Sequence, residues 1–249
     1  MCGRFTLRAS REAIAEQFSL LEVPPISPRY NIAPRQPVGI VRSRGSGQIP
    51  EAVSSSGEEV ATPIARVPDR EFVFARWGLI PAWAEDPAIG DRLINARAET
   101  VASKPAFRRA FRYRRCLIPA DGFYEWRQEG RRKQPYFFRL PGDELFAFAG
   151  LWESWEGPDH SYLESCTIIT TDANEQVRPF HDRMPVILTR DQYERWLDPT
   201  ESRPERLMQL LQPFEGAKLE VLPVGTWVNN PSFDDPRCIA PVEKKGLFG

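Results

Sequence analysis

The chain has 249 residues, 41% of them hydrophobic and 27% charged, a globular composition that excludes a disordered chain. No apolar stretch approaches the roughly 20 residues that cross a bilayer, and no long apolar run of the secretory kind follows the first residues. Net charge is −1, yet residues 92–139 hold 11 Arg and 2 Lys against 4 acidic residues, an excess of +9, which reads either as a footprint for phosphates or as a solvated face.

Four cysteines, Cys2, Cys116, Cys166 and Cys238, form no CxxC pair. That excludes a zinc ribbon, and a disulfide framework is not expected in a chain this large; Cys116, Cys166 and Cys238 read as small buried hydrophobes. The expected location is the cytoplasm.

In chain order, a helix is expected to begin at Ser10, which can cap free amides, with Ile14, Phe18 and Leu21 on one face. Strand 37–42 is joined to strand 72–77 by the polar stretch Ser43–Asp69, with its SRGSG and SSSGEE runs. This stretch reads as a flexible insertion at a hairpin tip, not a domain linker. Helical turns over 97–111 are interrupted by Pro105. Apolar or alternating runs at 115–119, 122–127, 136–140, 145–151, 163–170, 185–189 and 218–224 read as strands. Segment 190–197 reads as a short helix, with Thr189 and Gln192 spaced for a capping box, and 204–212 as another. There is no internal repeat. Many short strands, a few helices and 24 prolines predict a single α+β domain whose mostly antiparallel, barrel-like β core is flanked by short helices.

Several residues could do chemistry. Excision of Met1 would leave Cys2 with an α-amine (reference pKa ~7.7–8.0) beside a thiol (~8.5), both partly nucleophilic near neutrality. A 1,2-aminothiol can attack an aldehyde through nitrogen and close a thiazolidine through sulfur, which no internal cysteine can do. The bland reading is a frayed terminus. The Met-Cys-Gly start is also similar to N-terminal-nucleophile amidotransferases, whose thiol attacks an amide, although Arg4 stands where an apolar strand residue is expected there.

Glu125, between Tyr124 and Trp126, is costly to bury, and its pKa is expected to rise toward a proton-shuttling range. His181, beside Arg183, suits general acid–base work near an anion; His160 lies in a polar turn and reads as surface. With 2 histidines in the chain, a multi-histidine metal site is impossible, and no metal or cofactor is expected. Asn95, flanked by Ile94 and Ala96, suits a buried hydrogen-bonding role, with Arg97 pointing the same way along a strand. Trp77 and Trp83 bracket a constrained loop, where they could stack on unpaired bases or plug the core.

Taken together, MCGRF (1–5), YNIAP (30–34), RWGLIPAW (76–83), INARAET (94–100), KPAFR (104–108), RCLIPADGFYEW (115–126), FAGLWE (148–153), TIITTDAN (167–174), HDRMPVIL (181–188) and VNN (228–230) resemble the SRAP (SOS-response-associated peptidase, or abasic-site-processing) family in order over nearly the whole chain. The resemblance implies single-stranded DNA bearing an abasic site as partner and a covalent thiazolidine crosslink through Cys2 after self-removal of Met1. It implies Glu125 as the carboxylate beside the Cys2 amine, His181 as the acid that opens the sugar and helps reverse the adduct, and Asn95 as the residue positioning the sugar and Cys2. Arg4, Arg97 and Arg183 are implied as phosphate contacts, and Trp77 and Trp126 as aromatics near the DNA, Trp77 as a wedge. A cytoplasmic, nucleoid-associated monomer is expected. A thiol peptidase or amidase of the N-terminal-nucleophile type and a non-covalent single-strand binder stand as alternatives.

Overall fold

The computed structural model describes residues 2–44 and 69–242, so most of the expected insertion, 45–68, lies outside the described residues. The elements are β1 (Phe5–Leu7), α1 (Arg11–Phe18), β2 (Arg29–Ile32), β3 (Pro37–Ser43), β4 (Arg70–Trp77), β5 (Asn95–Arg97), α2 (Ala98–Val101), α3 (Arg108–Tyr113), β6 (Arg115–Ala120), β7 (Gly122–Glu129), β8 (Arg132–Arg139), β9 (Phe146–Glu156), β10 (Tyr162–Asp172), β11 (Arg183–Pro185), β12 (Ile187–Leu188), α4 (Tyr193–Leu197), α5 (Pro204–Met208) and β13 (Glu220–Pro223).

The α+β, barrel-like expectation holds. Strand β10 pairs with β9 on one side and with β4 on the other, which closes the ring β10–β4–β3–β6–β9. All of its pairings are antiparallel except β10–β4, and closure removes the free edges that an open sheet would expose. A second sheet runs β13–β8–β7–β1–β2, antiparallel throughout. Phe5 of β1 ties the two together, its ring edge-on to Trp77 at 5.2 Å and to Phe148 at 5.7 Å. Strand β6 is buried along its whole length, so its run RCLIPA has no polar alternation to show. Ser43 pairs with Arg70, so 44–69 does join the two strands of one hairpin.

Local chemistry sets the ends of the elements. Ser10 caps α1 by accepting from Ala13 N–H, as expected, but Ser19 turns left-handed (φ 54°) and stops the helix. Leu21 therefore leaves the Ile14–Phe18 face and is 75% exposed. The Thr189–Gln192 capping box is present. The 97–111 region splits into α2 and α3 around Pro105, and 185–189 splits into β11 and β12. Cys116, Cys166 and Cys238 are buried and free.

Four of the 13 basic residues of the block 92–139 are spent on this architecture. Arg115 is buried and donates to the carbonyls of Trp196 (2.7 Å), Phe111 (3.0 Å) and Glu201 (2.9 Å), and burial lowers its pKa to about 10. Arg114 pairs with Glu153, Arg127 with Glu129, and Arg139 with Glu220. Arg97, Arg108, Arg109, Arg112, Arg131 and Arg132 stay exposed.

Candidate active site

The site forms where β1 meets β7. Phe5 lies opposite Phe123 and Thr6 opposite Gly122, and Tyr124 N–H donates to Arg4 O at 3.1 Å. This antiparallel register runs residues 2–4 alongside 124–126, so Cys2 reaches Glu125. Cys2 is fully buried, with its thiol 3.7 Å from Arg4 O. Burial, and then the negative charge of Glu125, push the thiol pKa far up, so the sulfur is held as a neutral thiol.

Asn95 opens β5, which pairs in parallel with β10, opposite Ile168. Its Nδ2 donates to Cys2 O at 2.9 Å, while its Oδ1 is buried with no hydrogen-bond partner among the described residues. An amide that spends its donor on the Cys2 backbone and leaves a desolvated acceptor beside it is poised to take a donor that arrives later.

Glu125 is 3% exposed, and burial raises its pKa from 4.5 to about 7. It lines a cleft of about 390 Å³ with Trp126, Lys133, His181 and Asn229. His181 Nδ1 accepts from Arg183 N–H at 2.9 Å, which assigns the ring proton to Nε2 in the neutral form. Asp182 Oδ1 lies 2.8 Å from the same Nδ1 and would take over that nitrogen only if the ring became charged. Burial, the largest effect, lowers the His181 pKa, so near neutrality the ring is an uncharged N–H donor.

Behind the cleft is a clasp. Asn31, fully buried, donates from Nδ2 to the carbonyls of Asn230 (3.1 Å) and Phe233 (2.6 Å) and accepts from Arg4 Nη1 at 2.8 Å. Arg4 Nη1 also meets Val228 O. Asp234 accepts from the backbone N–H groups of Tyr30 and Asn31 and pairs with Arg29. The YNIAP segment thus docks residues 228–234 and brings Asn229 to the cleft, where its Oδ1 accepts from Trp126 Nε1 at 2.7 Å.

The structure brings Cys2, Asn95, Glu125 and His181 into one region, with Trp126 lining the cleft, Arg4 held in the clasp behind it and Arg97 exposed two residues beyond Asn95. It corrects two expectations. Trp77 has no exposed surface and donates from Nε1 to Ile94 O at 2.8 Å. Its ring is core, packed on Phe5, and offers no face to a nucleotide, because the end of β4 points inward. Arg183 is 9% exposed and both of its Nη groups are already spent, on Glu99 (2.7 and 3.0 Å), Asp172 (2.8 Å) and Thr170 O (2.6 Å). It pins β11 to β10 and α2, and its charge is neutralised. Lys133, Asn229 and Asn31 were not singled out from the sequence. Lys133 is masked within a basic run, and Asn31 and Asn229 sit inside YNIAP and VNN with no local pattern that marks a buried amide or a cleft residue.

Among the described residues no group of three or more His, Cys, Asp and Glu is placed to hold a metal ion, and no helix is long and apolar enough to cross a membrane. What the site offers is a buried cysteine at the chain's start, a carboxyl that titrates near neutrality and a neutral imidazole, opening on a cleft.

Known proteins share this arrangement of chain and fold. The family model described as SOS response associated peptidase (SRAP) matches residues 1–231. The chain is 41% identical over 243 residues to the abasic site processing protein YoqW of Bacillus subtilis (strain 168), covering 96% of this chain and 99% of that one. It is 37% identical over 199 residues to the abasic site processing protein HMCES of Gallus gallus, covering 70% of this chain and 59% of that one. A crystal structure of a Bacteroides thetaiotaomicron protein superposes with a TM-score of 0.74 at 24% identity over 97% of this chain and 100% of that one, a likeness of fold. The chain therefore belongs to the SRAP family.

Proposed function

We propose that the protein processes abasic sites by capturing them, in single-stranded DNA, as a covalent thiazolidine adduct of Cys2. The observation that carries this reading is a buried Cys2, tethered through its carbonyl by Asn95, set against Glu125, whose carboxyl lines the cleft and is pushed up to about 7 by burial. The names of its relatives YoqW and HMCES, both abasic site processing proteins, supply the class of substrate.

The steps balance without a cofactor. Water hydrolyses the Met1–Cys2 peptide bond, releasing methionine and freeing the Cys2 amine. An abasic sugar exists partly as a ring-opened aldehyde. The amine adds to its C1′ carbon, a C–N bond forms and water leaves, giving an imine. The Cys2 Sγ then adds to the imine carbon, its proton passes to nitrogen, and the ring closes with no change of oxidation state.

Because burial keeps the thiol protonated, nitrogen attacks first and sulfur second. Ionised Glu125 takes the proton from the amine, and the neutral His181 Nε2–H donates toward the sugar oxygen as the ring opens. Holding amine and aldehyde together is worth effective molarities on the order of 10⁵ M or more. Arg97, exposed beside Asn95, contacts phosphate as a guanidinium fork. A peptidase acting on other substrates would need a thiolate, which burial and Glu125 both oppose.

The test mixes protein of verified mass, with Met1 removed, with an abasic single strand and resolves the products on a denaturing gel. The expected result is a heat-stable shifted band, absent in Cys2→Ala, whose mass equals protein plus strand minus one water. A Met1-free protein that yields no such band overturns the proposal.

A further inference from the structure

Resting on that reading, we propose that Trp227 is a stacking site for an unpaired nucleobase flanking the lesion. Trp227 lies in the short turn Thr226–Asn229, whose last residue, Asn229, lines the cleft. Its neighbour Val228 is fully buried, whereas Trp227 is 45% exposed. The turn is held by Asn31 and Arg4, which both donate to Val228 O, so the indole is carried on a fixed base.

The ring itself is braced. Phe233 meets it edge-on at 5.1 Å, and the Arg237 guanidinium lies 4.5 Å from its centre. Arg237 is in turn held by Asp235, through Nε to Oδ1 at 3.0 Å and Nη2 to Oδ2 at 2.6 Å. That pairing offsets the positive charge of Arg237, which leaves the guanidinium over the indole as a brace for the ring. A large apolar ring that is half exposed, ordered by two neighbours and one turn from a cleft presents a flat surface whose immobilisation cost is already met before a ligand arrives. A single strand leaving the cleft over Asn229 runs onto this ring. Every base has a π-face, so stacking there adds affinity without reading sequence.

A two-by-two titration by fluorescence anisotropy tests this. The probes are a single strand with a non-reactive tetrahydrofuran site flanked by bases, and the same strand with tetrahydrofuran spacers in place of the flanking bases. Removing the flanking bases should weaken binding by the wild-type chain on the order of ten-fold. Trp227→Ala should lose the same factor on the normal strand and drop no further on the base-free one. Trp227→Leu, which keeps apolar volume without a flat face, should behave like Trp227→Ala, and Trp227→Phe should keep most of the coupling.

Equal weakening of Trp227→Ala on both strands, or no weakening on either, overturns the proposal, including in favour of a protein partner at this ring. The probes cannot crosslink, so the cycle is independent of Cys2 chemistry. Coupling without any covalent product from a reactive strand would leave the stacking site standing and overturn the functional reading instead.

Discussion

Glu125→Gln should make the protein more stable and less active, with the stability gain depending on pH. In the folded chain burial moves this carboxyl from 4.5 to about 7, which corresponds to about 3 kcal/mol of cost when the group is ionised. The direction follows from proton counting. Between about 4.5 and 7 the folded state keeps a proton that the unfolded state has released, so wild-type stability falls as pH rises through this window. Gln carries no charge at any pH and removes that slope.

At pH 8 Glu125→Gln should be more stable than wild type by about 3 kcal/mol, a rise of roughly 6–12 °C in melting temperature for a chain of this size. At pH 4.5 the two should melt nearly together. Crosslinking at pH 8 should slow by at least about a hundredfold, the low end of what a positioned base supplies. Paired thermal melts at pH 4.5, 6, 7 and 8 check the first part, and single-turnover crosslinking checks the second. Melting curves that keep a constant separation across this range, or a variant less stable at pH 8, would refute the account of Glu125 as a desolvated carboxyl.

Three further outcomes are expected. Arg97→Ala should weaken strand binding and lower the salt slope by about one counterion, whereas Arg183→Ala should leave the slope unchanged, because its charge is already met by Glu99 and Asp172, and should cost about 1–2 kcal/mol in urea unfolding, mainly for the buried Thr170 carbonyl left without its donor; binding titrated across salt separates the two. Asn31→Ala leaves Arg4 Nη1 with Val228 O alone and takes the donor from the part-buried carbonyls of Asn230 and Phe233, and should cost about 2 kcal/mol by denaturant unfolding, and a loss below about 1 kcal/mol would mean that water replaces the amide. His181→Ala should slow adduct formation at saturating strand more than tenfold while moving half-saturation less than twofold; matched losses in both would assign the ring to binding instead.

The legible parts of the fold were those governed by local chemistry. Ser10 and Thr189–Gln192 announced helix starts because their oxygens satisfy amides within one turn. The runs that became β7, β8, β9 and β10 were visible as β-branched and aromatic segments. Leu21 misled because helical spacing continues through Ser19, and only the left-handed turn there shows that the helix has ended. Strand β2 was not anticipated, and β5, three residues long, gains its stability from pairing with β10, a long-range contact with no local signal. In the site, Cys2, Asn95, Glu125 and His181 were nameable from chemistry and family motifs, but burial decides what an aromatic or a cation does. Trp77 and Arg183 carry the right side chains for DNA and are committed to the interior.

The clasp between Arg4 and Val228 joins positions 224 residues apart. During synthesis Arg4 emerges long before the segment that fixes it and seats Asn229, which follows more than 200 residues later. A nascent chain therefore carries its leading cysteine without the complete pocket that would act on it. If the proposed self-trimming uses that pocket, it waits for residue 228 to be made and seated, and a molecule cut short before residue 228 should keep its first methionine unless another enzyme removes it.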